Sequence, residues 1–149
     1  MQKTRVADIM TSPAIVVSPH TTLPAANALM RDKRIRHLPV VENGRLVGII
    51  SRGDLREASA SASLNADSYE LHFMLSRLTV GKLMTRKVQT VTPDAPIVYA
   101  AELMTNNKIA GLPVVDENGG VAGIITESDL LRMLVTKLRE AEDQVAPAK

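Results

Sequence analysis

The chain contains one sequence unit twice. Residues 37–54 read HLPVVENGRLVGIISRGD, and residues 111–129 read GLPVVDENGGVAGIITESD. Upstream of these segments, VADIMT at 6–11 is repeated as VGKLMT at 80–85. Equivalent positions lie 74 residues apart up to the LPVV run and 75 apart after one additional residue in the second turn. A repeat of this length predicts two copies of one folding unit that pack together with pseudo-twofold symmetry, because each copy must bury an apolar face.

Both copies predict the same order of elements, β–α–β–β–α, which places the chain in the α/β class. In each copy a helical pattern follows a Ser-Pro or Thr-Pro pair, and two β-branched runs joined by a turn containing Asn-Gly come next. A second helix is expected to begin at Ser51 or Thr126. The first strands are predicted at Ile15–Val17 and Val88–Val91, and the first helices at Leu23–Arg34 and Ile97–Lys108.

The repeat divides the chain into a first unit at 1–57, a connector at 58–79 and a second unit at 80–149. The Ala/Ser tract at 58–63 predicts a frayed helix end or a flexible loop. Ser68–Leu78 predicts a short amphipathic helix capped by Asp67 or Ser68. The longest predicted helix runs from about Glu127 to about Gln144 and extends the second unit.

Composition excludes several classes of function. Aromatic residues make up 2 % of the chain and Trp is absent, which argues against stacking platforms for single-stranded nucleic acid. The net charge of +2 is dispersed, so no nucleic-acid partner is expected. The absence of Cys excludes disulfides and Cys-based zinc sites and fits a cytoplasmic protein. No signal peptide and no apolar run of membrane-spanning length is present, so no membrane association is expected.

The pattern Gly-apolar-apolar-Ser/Thr-x-x-Asp occurs at 48–54 and again at 123–129. One interpretation is structural: Ser51 and Thr126 begin helices, and Asp54 and Asp129 complete a capping box. The other interpretation is functional, because an Asp in a first helical turn can accept hydrogen bonds from a ribose diol, and a helix N-terminus favours phosphate. Both interpretations remain open at this point, since a cap would also position the carboxylate.

These paired motifs, each preceded by LPVV, resemble a tandem pair of cystathionine-β-synthase (CBS) domains, the Bateman module. The resemblance covers residues 6–133 and is to the stand-alone bacterial and archaeal type of pair. A weaker resemblance, in the IRHLPVV run and the connector helix, is to bacterial acetoin-utilisation accessory proteins. The family implies a disc-like pair with two clefts for adenosine-containing ligands such as AMP, ADP, ATP or S-adenosyl derivatives.

Carried onto this sequence, the resemblance and the motif give a set of ligand-binding residues in each copy. The set comprises Thr11, Ser12, Pro13, Arg36, His37, Pro39, Ser51, Arg52 and Asp54 in the first copy, and Thr85, Arg86, Lys87, Ala110, Gly111, Pro113, Thr126 and Asp129 in the second. The copies differ, because Arg36, His37 and Arg52 are matched by Ala110, Gly111 and Glu127. The two clefts are therefore expected to differ in affinity or in ligand, since polyphosphate needs cations.

Neither a metal nor a required cofactor is predicted, because the three His residues share no metal-binding spacing. No catalytic constellation, P-loop or dinucleotide-binding motif occurs either.

The leading hypothesis is a non-enzymatic module that senses an adenosine-containing ligand and signals to an unidentified partner protein. Two rival hypotheses are a structural CBS disc with degenerate clefts and a nucleotide-hydrolysing enzyme.

An apolar stripe on the last predicted helix points to a homodimer. Its members recur at spacings of three and four, namely Leu131, Leu134, Leu138, Ala141 and Val145. Such spacing is typical of a helix seam, and the stripe continues beyond the end of the repeat. The other interpretation of the stripe is packing on the connector helix.

Overall fold

The computed structural model describes residues 3–63 and 67–145, apart from the side chains of residues 62 and 63. In the first repeat and connector the elements are α1 (Val6–Ile9), α2 (Leu23–Lys33), β1 (His37–Glu42), β2 (Arg45–Ser51), α3 (Arg52–Ser63) and α4 (Ser68–Arg77). In the second repeat they are α5 (Val80–Leu83), α6 (Ile97–Asn107), β3 (Gly111–Val115), β4 (Val121–Thr126) and α7 (Glu127–Val145). The predicted α/β class with two equivalent units is confirmed.

Each repeat contains one antiparallel hairpin. In the first hairpin β1 pairs with β2, and the turn residues Asn43 and Gly44 have φ values of 52° and 77°. These left-handed conformations explain why the turn carries Asn-Gly. The predicted first strands are each reduced to one parallel bridge, Val17 with Val40 and Val91 with Val114. The Ser-Pro or Thr-Pro pair that follows ends the pairing there, because proline has no N–H to donate.

The short apolar segments that begin the two repeats, 6–11 and 80–85, are exchanged between the repeats, and we call them the leads. Thr11 of the first repeat pairs with Ile124 on β4, and Thr85 of the second repeat pairs with Ile49 on β2. Val6 is accordingly buried in the core of the second repeat, beside Leu112 and Ile125. Val80 and Met84 are buried in the core of the first repeat. Each hydrophobic core is therefore completed by a segment of the other repeat.

The glycine of each repeated motif permits this exchange. A Cβ on Gly123 would lie 2.8 Å from the Thr11 carbonyl oxygen and 2.8 Å from Met10 Sδ. A Cβ on Gly48 would lie 3.0 Å from the Thr85 carbonyl oxygen. At these two positions a side chain would collide with the backbone of the exchanged lead, so glycine allows the two backbones to approach.

The connector forms more helix than the Ala/Ser tract predicts. The tract lies within α3, which reaches Ser63, and α4 is capped by Asp67, whose Oδ1 accepts a hydrogen bond from the Glu70 N–H at 2.8 Å. Helix α4 packs on α2 and α3, whereas α7 packs on β4 and α1. The unit limits 1–57, 58–79 and 80–149 stay a proposal, because the exchanged leads give each core residues from both sides of the connector.

Candidate functional site: two clefts between the repeats

The first cleft is a cavity of about 380 Å³ built from both repeats. The first repeat supplies the loop after α1 and the entrance to β1, and the second repeat supplies the start of α7. The lining residues are Thr11, Pro13, Ala14, Ile15, Arg34, Ile35, Arg36, His37, Ala110, Ile124, Thr126, Glu127, Ser128 and Arg132. The repeated Thr-x-x-Asp motif of one unit thus faces the loop and strand entrance of the other.

The second cleft is the pseudosymmetric counterpart, with a volume of about 360 Å³. Here the second repeat supplies the loop after α5 and the entrance to β3, and the first repeat supplies the start of α3. Its lining residues are His37, Ile49, Ser51, Asp54, Thr85, Lys87, Val88, Gln89, Lys108, Ile109, Ala110 and Gly111. Both volumes fall within the range of small-molecule sites.

Asp129 is buried beside the first cleft, and both its oxygens are engaged. Oδ2 accepts hydrogen bonds from the Thr126 N–H at 2.9 Å and the Thr126 hydroxyl at 3.1 Å. Oδ1 accepts from the Thr11 hydroxyl at 3.0 Å and from the Arg132 guanidinium at 2.6 Å. Asp129 is 3 % exposed and Arg132 is 70 % exposed, so the ion pair joins a buried carboxylate to a solvated cation. This carboxylate caps α7 and ties the exchanged lead to it.

Asp54, at the equivalent place in the second cleft, is less constrained. Its Oδ2 accepts a hydrogen bond from the Ser51 N–H at 2.8 Å, and its own N–H donates to the Ser51 hydroxyl at 3.1 Å. This reciprocal pair is a capping box. The position equivalent to Arg132 is Glu57, so α3 supplies no matching cation. Asp54 is half-buried and lines the cleft, where its carboxylate is available to a ligand.

Cations line both clefts, and two of them occupy equivalent positions. Arg34 and Lys108 are the C-cap residues directly after α2 and α6, with φ values of 55° and 53°. The left-handed conformation is uncommon for residues other than Gly, Asn and Asp, and here it places a basic residue at each cleft. The first cleft adds Arg36 and Arg132 and one acid, Glu127.

His37 lines both clefts. Its pKa is lowered from 6.5, mainly because burial disfavours the charged imidazolium. The charges of Asp54 and Glu127 act in the opposite direction, and that of Arg36 lowers the pKa further. Burial therefore favours the neutral form of this imidazole.

Most of the predicted ligand-binding residues lie at the clefts. Thr11, Pro13, Arg36, His37, Ala110 and Thr126 line the first, and His37, Ser51, Asp54, Thr85, Lys87, Ala110 and Gly111 line the second. Asp129 contacts three residues of the first cleft. Their roles in binding stay a prediction, as does the set as a whole.

Five predicted residues lie away from the clefts. Pro39 and Pro113 are fully buried within β1 and β3. The Ser12 hydroxyl donates to the Ala122 carbonyl at 2.8 Å, and Arg86 Nη2 donates to the Gly81 carbonyl at 3.2 Å. Arg52 lines a different groove, between α2, α3 and α4.

The sequence prediction omitted three basic residues, Arg34, Lys108 and Arg132. Two signals could have found them. Arg34 and Lys108 are equivalent under the 74-residue offset, and Arg132 lies one helical turn after Asp129. Comparison of the two copies placed Arg36 and Arg52 in the same cleft. In the structure, the exchange of leads places Arg36 in one cleft with Glu127 and Arg132. Each cleft is therefore lined by charged residues of both repeats.

In the described ranges, 3–63 and 67–145, no group of three or more His, Cys, Asp and Glu residues is arranged to hold a metal ion.

No helix within the same ranges has the length and apolar composition needed to cross a membrane.

Residues 6–61 and 80–136 each match the family model of the CBS domain. These two matches cover most of the chain, and they correspond to the two repeats. The chain belongs to the CBS-domain family and carries a tandem pair.

Relatives of known name share this pair over most of the chain. A CBS domain-containing protein of Dictyostelium discoideum is 34 % identical over 143 residues, which are 95 % of this chain and 99 % of that protein. A homoserine O-acetyltransferase of Methanococcoides burtonii is 38 % identical over 132 residues, which are 88 % of this chain. The chain spans 24 % of the length of that acetyltransferase.

Solved structures of CBS pairs have the same fold. The CBS domain pair of protein MJ0100, in complex with 5′-methylthioadenosine and S-adenosyl-L-methionine, has a TM-score of 0.76 at 31 % identity and covers 91 % of this chain and 99 % of that chain. CBSX2 in complex with AMP has a TM-score of 0.73 at 32 % identity, with 89 % and 96 % covered. A Vibrio cholerae protein assigned to acetoin utilization (AcuB) has a TM-score of 0.79 at 31 % identity, with 98 % and 100 % covered.

Proposed function

We propose that the protein is a non-enzymatic regulatory module that binds an adenosine-containing ligand and signals to a partner protein. The observation that carries this proposal is the construction of each cleft from both repeats. A ligand in such a cleft contacts the loop of one repeat and the helix start of the other. Binding then stabilises one relative arrangement of the repeats over the others. A signal to a partner requires such a difference in free energy.

The class of ligand follows from the clefts and from the neighbours. Apolar residues such as Ile15 and Ile35 provide a surface for an adenine ring in the first cleft, and Val88 and Ile109 do so in the second. Related CBS pairs have been solved with AMP and with S-adenosyl-L-methionine. We assign this chain the same class, adenine nucleotides or S-adenosyl derivatives, as an effector and not as a cofactor.

In the second cleft the ribose is assigned to Asp54. Its carboxylate has one bond to the Ser51 N–H and lines the cavity, so it can accept hydrogen bonds from a ribose diol. Lys87 and Lys108 then lie in the same cleft as an anionic substituent of the ligand. Such charge-assisted contacts are about twice as strong as neutral hydrogen bonds.

In the first cleft the ribose cannot reach Asp129 while Thr11 and Arg132 hold that carboxylate. This observation favours a second candidate function, a structural disc in which the clefts bind no ligand. A phosphorylated ligand can still bind in this cleft, because its phosphate can attract Arg132 away from Asp129. The first cleft is therefore assigned a phosphorylated adenosine ligand, and the difference between the clefts stays a prediction.

Isothermal titration calorimetry with adenosine, AMP, ADP, ATP and S-adenosylmethionine tests the proposal. We expect at least one of these ligands to bind, and Asp54→Asn to weaken binding in the second cleft. Asp67→Asn is the matched control, because Asp67 also caps a helix but lies outside both clefts. Absence of binding for the whole panel would establish the structural disc instead.

A further inference from the structure

A groove outside both clefts lies between α2, α3 and α4. Its volume is about 530 Å³, which is larger than that of either cleft and within the range of small-molecule sites. Among the residues that the structure describes, none lines both this groove and a cleft. The groove is therefore a separate cavity with its own set of side chains.

Helix α3 presents different side chains to the groove and to the second cleft. Ser51 and Asp54, around the helix start, line the second cleft, whereas Arg52, Leu55 and Arg56 line the groove. Positions 52, 55 and 56 are three and four residues apart, so their side chains lie on one face of the helix. The connector helix α4, which packs on α2 and α3, forms the opposite wall.

The described lining of the groove carries two positive charges and no carboxylate. Arg52 is the first residue of α3, where the helix dipole disfavours a cation, and Arg56 adds a like charge one turn later. Within 3–63 and 67–145, no ion pair includes either guanidinium. Of the acids close in sequence, Asp54 lines the second cleft and Glu57 lines neither cavity. A bound anion would offset both unfavourable interactions.

The floor of the groove is apolar. Leu23 and Leu55 are each 5 % exposed and belong to the core of the first repeat, and Leu75 of α4 packs against the same core. The exposed side chains of Asn27 and His72 add hydrogen-bond donors beside the two arginines. An apolar floor with cations above it fits a molecule that has an anionic head and an apolar body.

The second repeat does not reproduce this combination. Under the 75-residue offset, Arg52 is matched by Glu127 and Arg56 by Leu131. Leu131 belongs to the exposed apolar stripe on α7, whose part in a homodimer stays a prediction. In the described part of the chain, α4 has no counterpart in the second repeat. The cations of the groove are therefore particular to the first repeat and do not follow from the shared fold.

We propose that this groove is a third ligand site, for a small molecule with a carboxylate or phosphate head group and an apolar body. Arg52 and Arg56 bind the head group, because guanidinium groups match the geometry of both anions. Leu23, Leu55 and Leu75 contact the body. The proposal does not depend on an adenosine ligand, because the described linings of the groove and the clefts are separate.

NMR titration of the isotope-labelled full chain tests the proposal. We expect octyl phosphate, octanoate or both, below their micelle-forming concentrations, to shift the backbone amide signals of α3 and α4 in a saturable manner. The comparison of these two probes identifies the head group. Octanol and octylamine, which keep the body but not the negative charge, should bind more weakly. Inorganic phosphate and acetate should also bind more weakly, because they lack the apolar body.

Neutral variants of the two arginines test their part in binding. Arg52→Gln and Arg56→Gln should each raise the dissociation constant about two- to fivefold, as the loss of one exposed ion pair allows. Arg139→Gln removes an exposed arginine of α7 and should leave the constant unchanged. The double variant should unfold at the wild-type temperature or above it, because it loses a like-charge pair. Weak binding by that variant then has no origin in misfolding.

Three outcomes would overturn the proposal. The first is the absence of saturable shifts in α3 and α4 with both anionic probes, whatever happens at the clefts. The second is binding of octylamine as tight as that of the anions. The third is wild-type affinity in the Arg52→Gln, Arg56→Gln double variant.

Discussion

His37 and Gly111, which occupy equivalent positions in the two repeats, lie against each other between the two clefts. A Cβ on Gly111 would lie 3.1 Å from His37 Cγ, so the imidazole fills the space that a second side chain would need. The same ring lines both cavities. A ligand that displaces the ring from one cleft must therefore change the shape of the other.

The burial of His37 predicts a stability that depends on pH. Because its folded pKa lies below 6.5, the unfolded chain binds more protons than the folded one, and stability falls as the pH drops below 6.5. His37→Gln should remove this part of the pH dependence. Thermal unfolding at a series of pH values measures the effect, and His20→Gln serves as the control that retains it. Identical pH profiles for wild type and His37→Gln would contradict the prediction.

Gly123→Ala should destabilise the fold by about 1–3 kcal/mol, as overpacking does, because its Cβ would meet the Thr11 carbonyl. Gly53→Ala is the matched control. Its Cβ would lie 3.6 Å from the Ser51 hydroxyl, and alanine is the better helix former, so we expect stability to be unchanged or raised by up to about 1 kcal/mol. Urea denaturation compares the two variants. Equal stabilities would show that the lead can move away from β4.

Asp129→Ala and Asp54→Ala should separate stability from ligand binding. Asp129→Ala removes a buried carboxylate with four hydrogen bonds and should cost more than the cap value of about 1 kcal/mol. Asp54→Ala should cost about 1 kcal/mol in stability and weaken binding of an adenosine ligand by about 10- to 150-fold, the equivalent of one or two charge-assisted hydrogen bonds. Calorimetric titration and thermal unfolding of both variants give the two quantities. Wild-type affinity with a lowered melting temperature would make Asp54 a cap alone.

Arg132→Gln should reverse the ligand preference of the first cleft. Loss of the ion pair leaves Oδ1 of Asp129 with only the Thr11 hydrogen bond, so this oxygen can accept a further one and binding of unphosphorylated adenosine should strengthen. Binding of AMP should weaken relative to adenosine, because the cation that we assign to its phosphate is gone, and this difference should shrink at high salt. Arg139→Gln lies on the same helix outside the cleft and should change neither affinity.

A fragment of residues 1–78 should fail to fold cooperatively. It lacks Val80 and Met84, which are buried in the core of the first repeat, and it leaves Val6 without the core of the second. Circular dichroism during heating, compared with the full chain, checks this expectation. A sharp transition in the fragment near that of the full chain would show that the exchanged lead is dispensable.

The repeat was sufficient to predict the hairpins, the helix before each hairpin and the helix starts next to Ser51 and Thr126, whereas each predicted first strand is only a single bridge. The exchange of leads was not predictable, because VADIMT and VGKLMT offer nearly the same apolar residues to either core. Sequence similarity between the copies hides which copy each lead joins. For the same reason the motif located Asp129 but not the engagement of its carboxylate by Thr11, which arrives from the other repeat.

The exchange of leads makes this chain equivalent to a domain-swapped dimer of single units whose two members are joined by the connector. In two separate chains, formation of both cores would depend on protein concentration. The covalent link replaces that dependence by a fixed effective concentration. It also frees the two units from having to be identical, so Arg132 and Glu57 can differ and each cleft can acquire its own ligand.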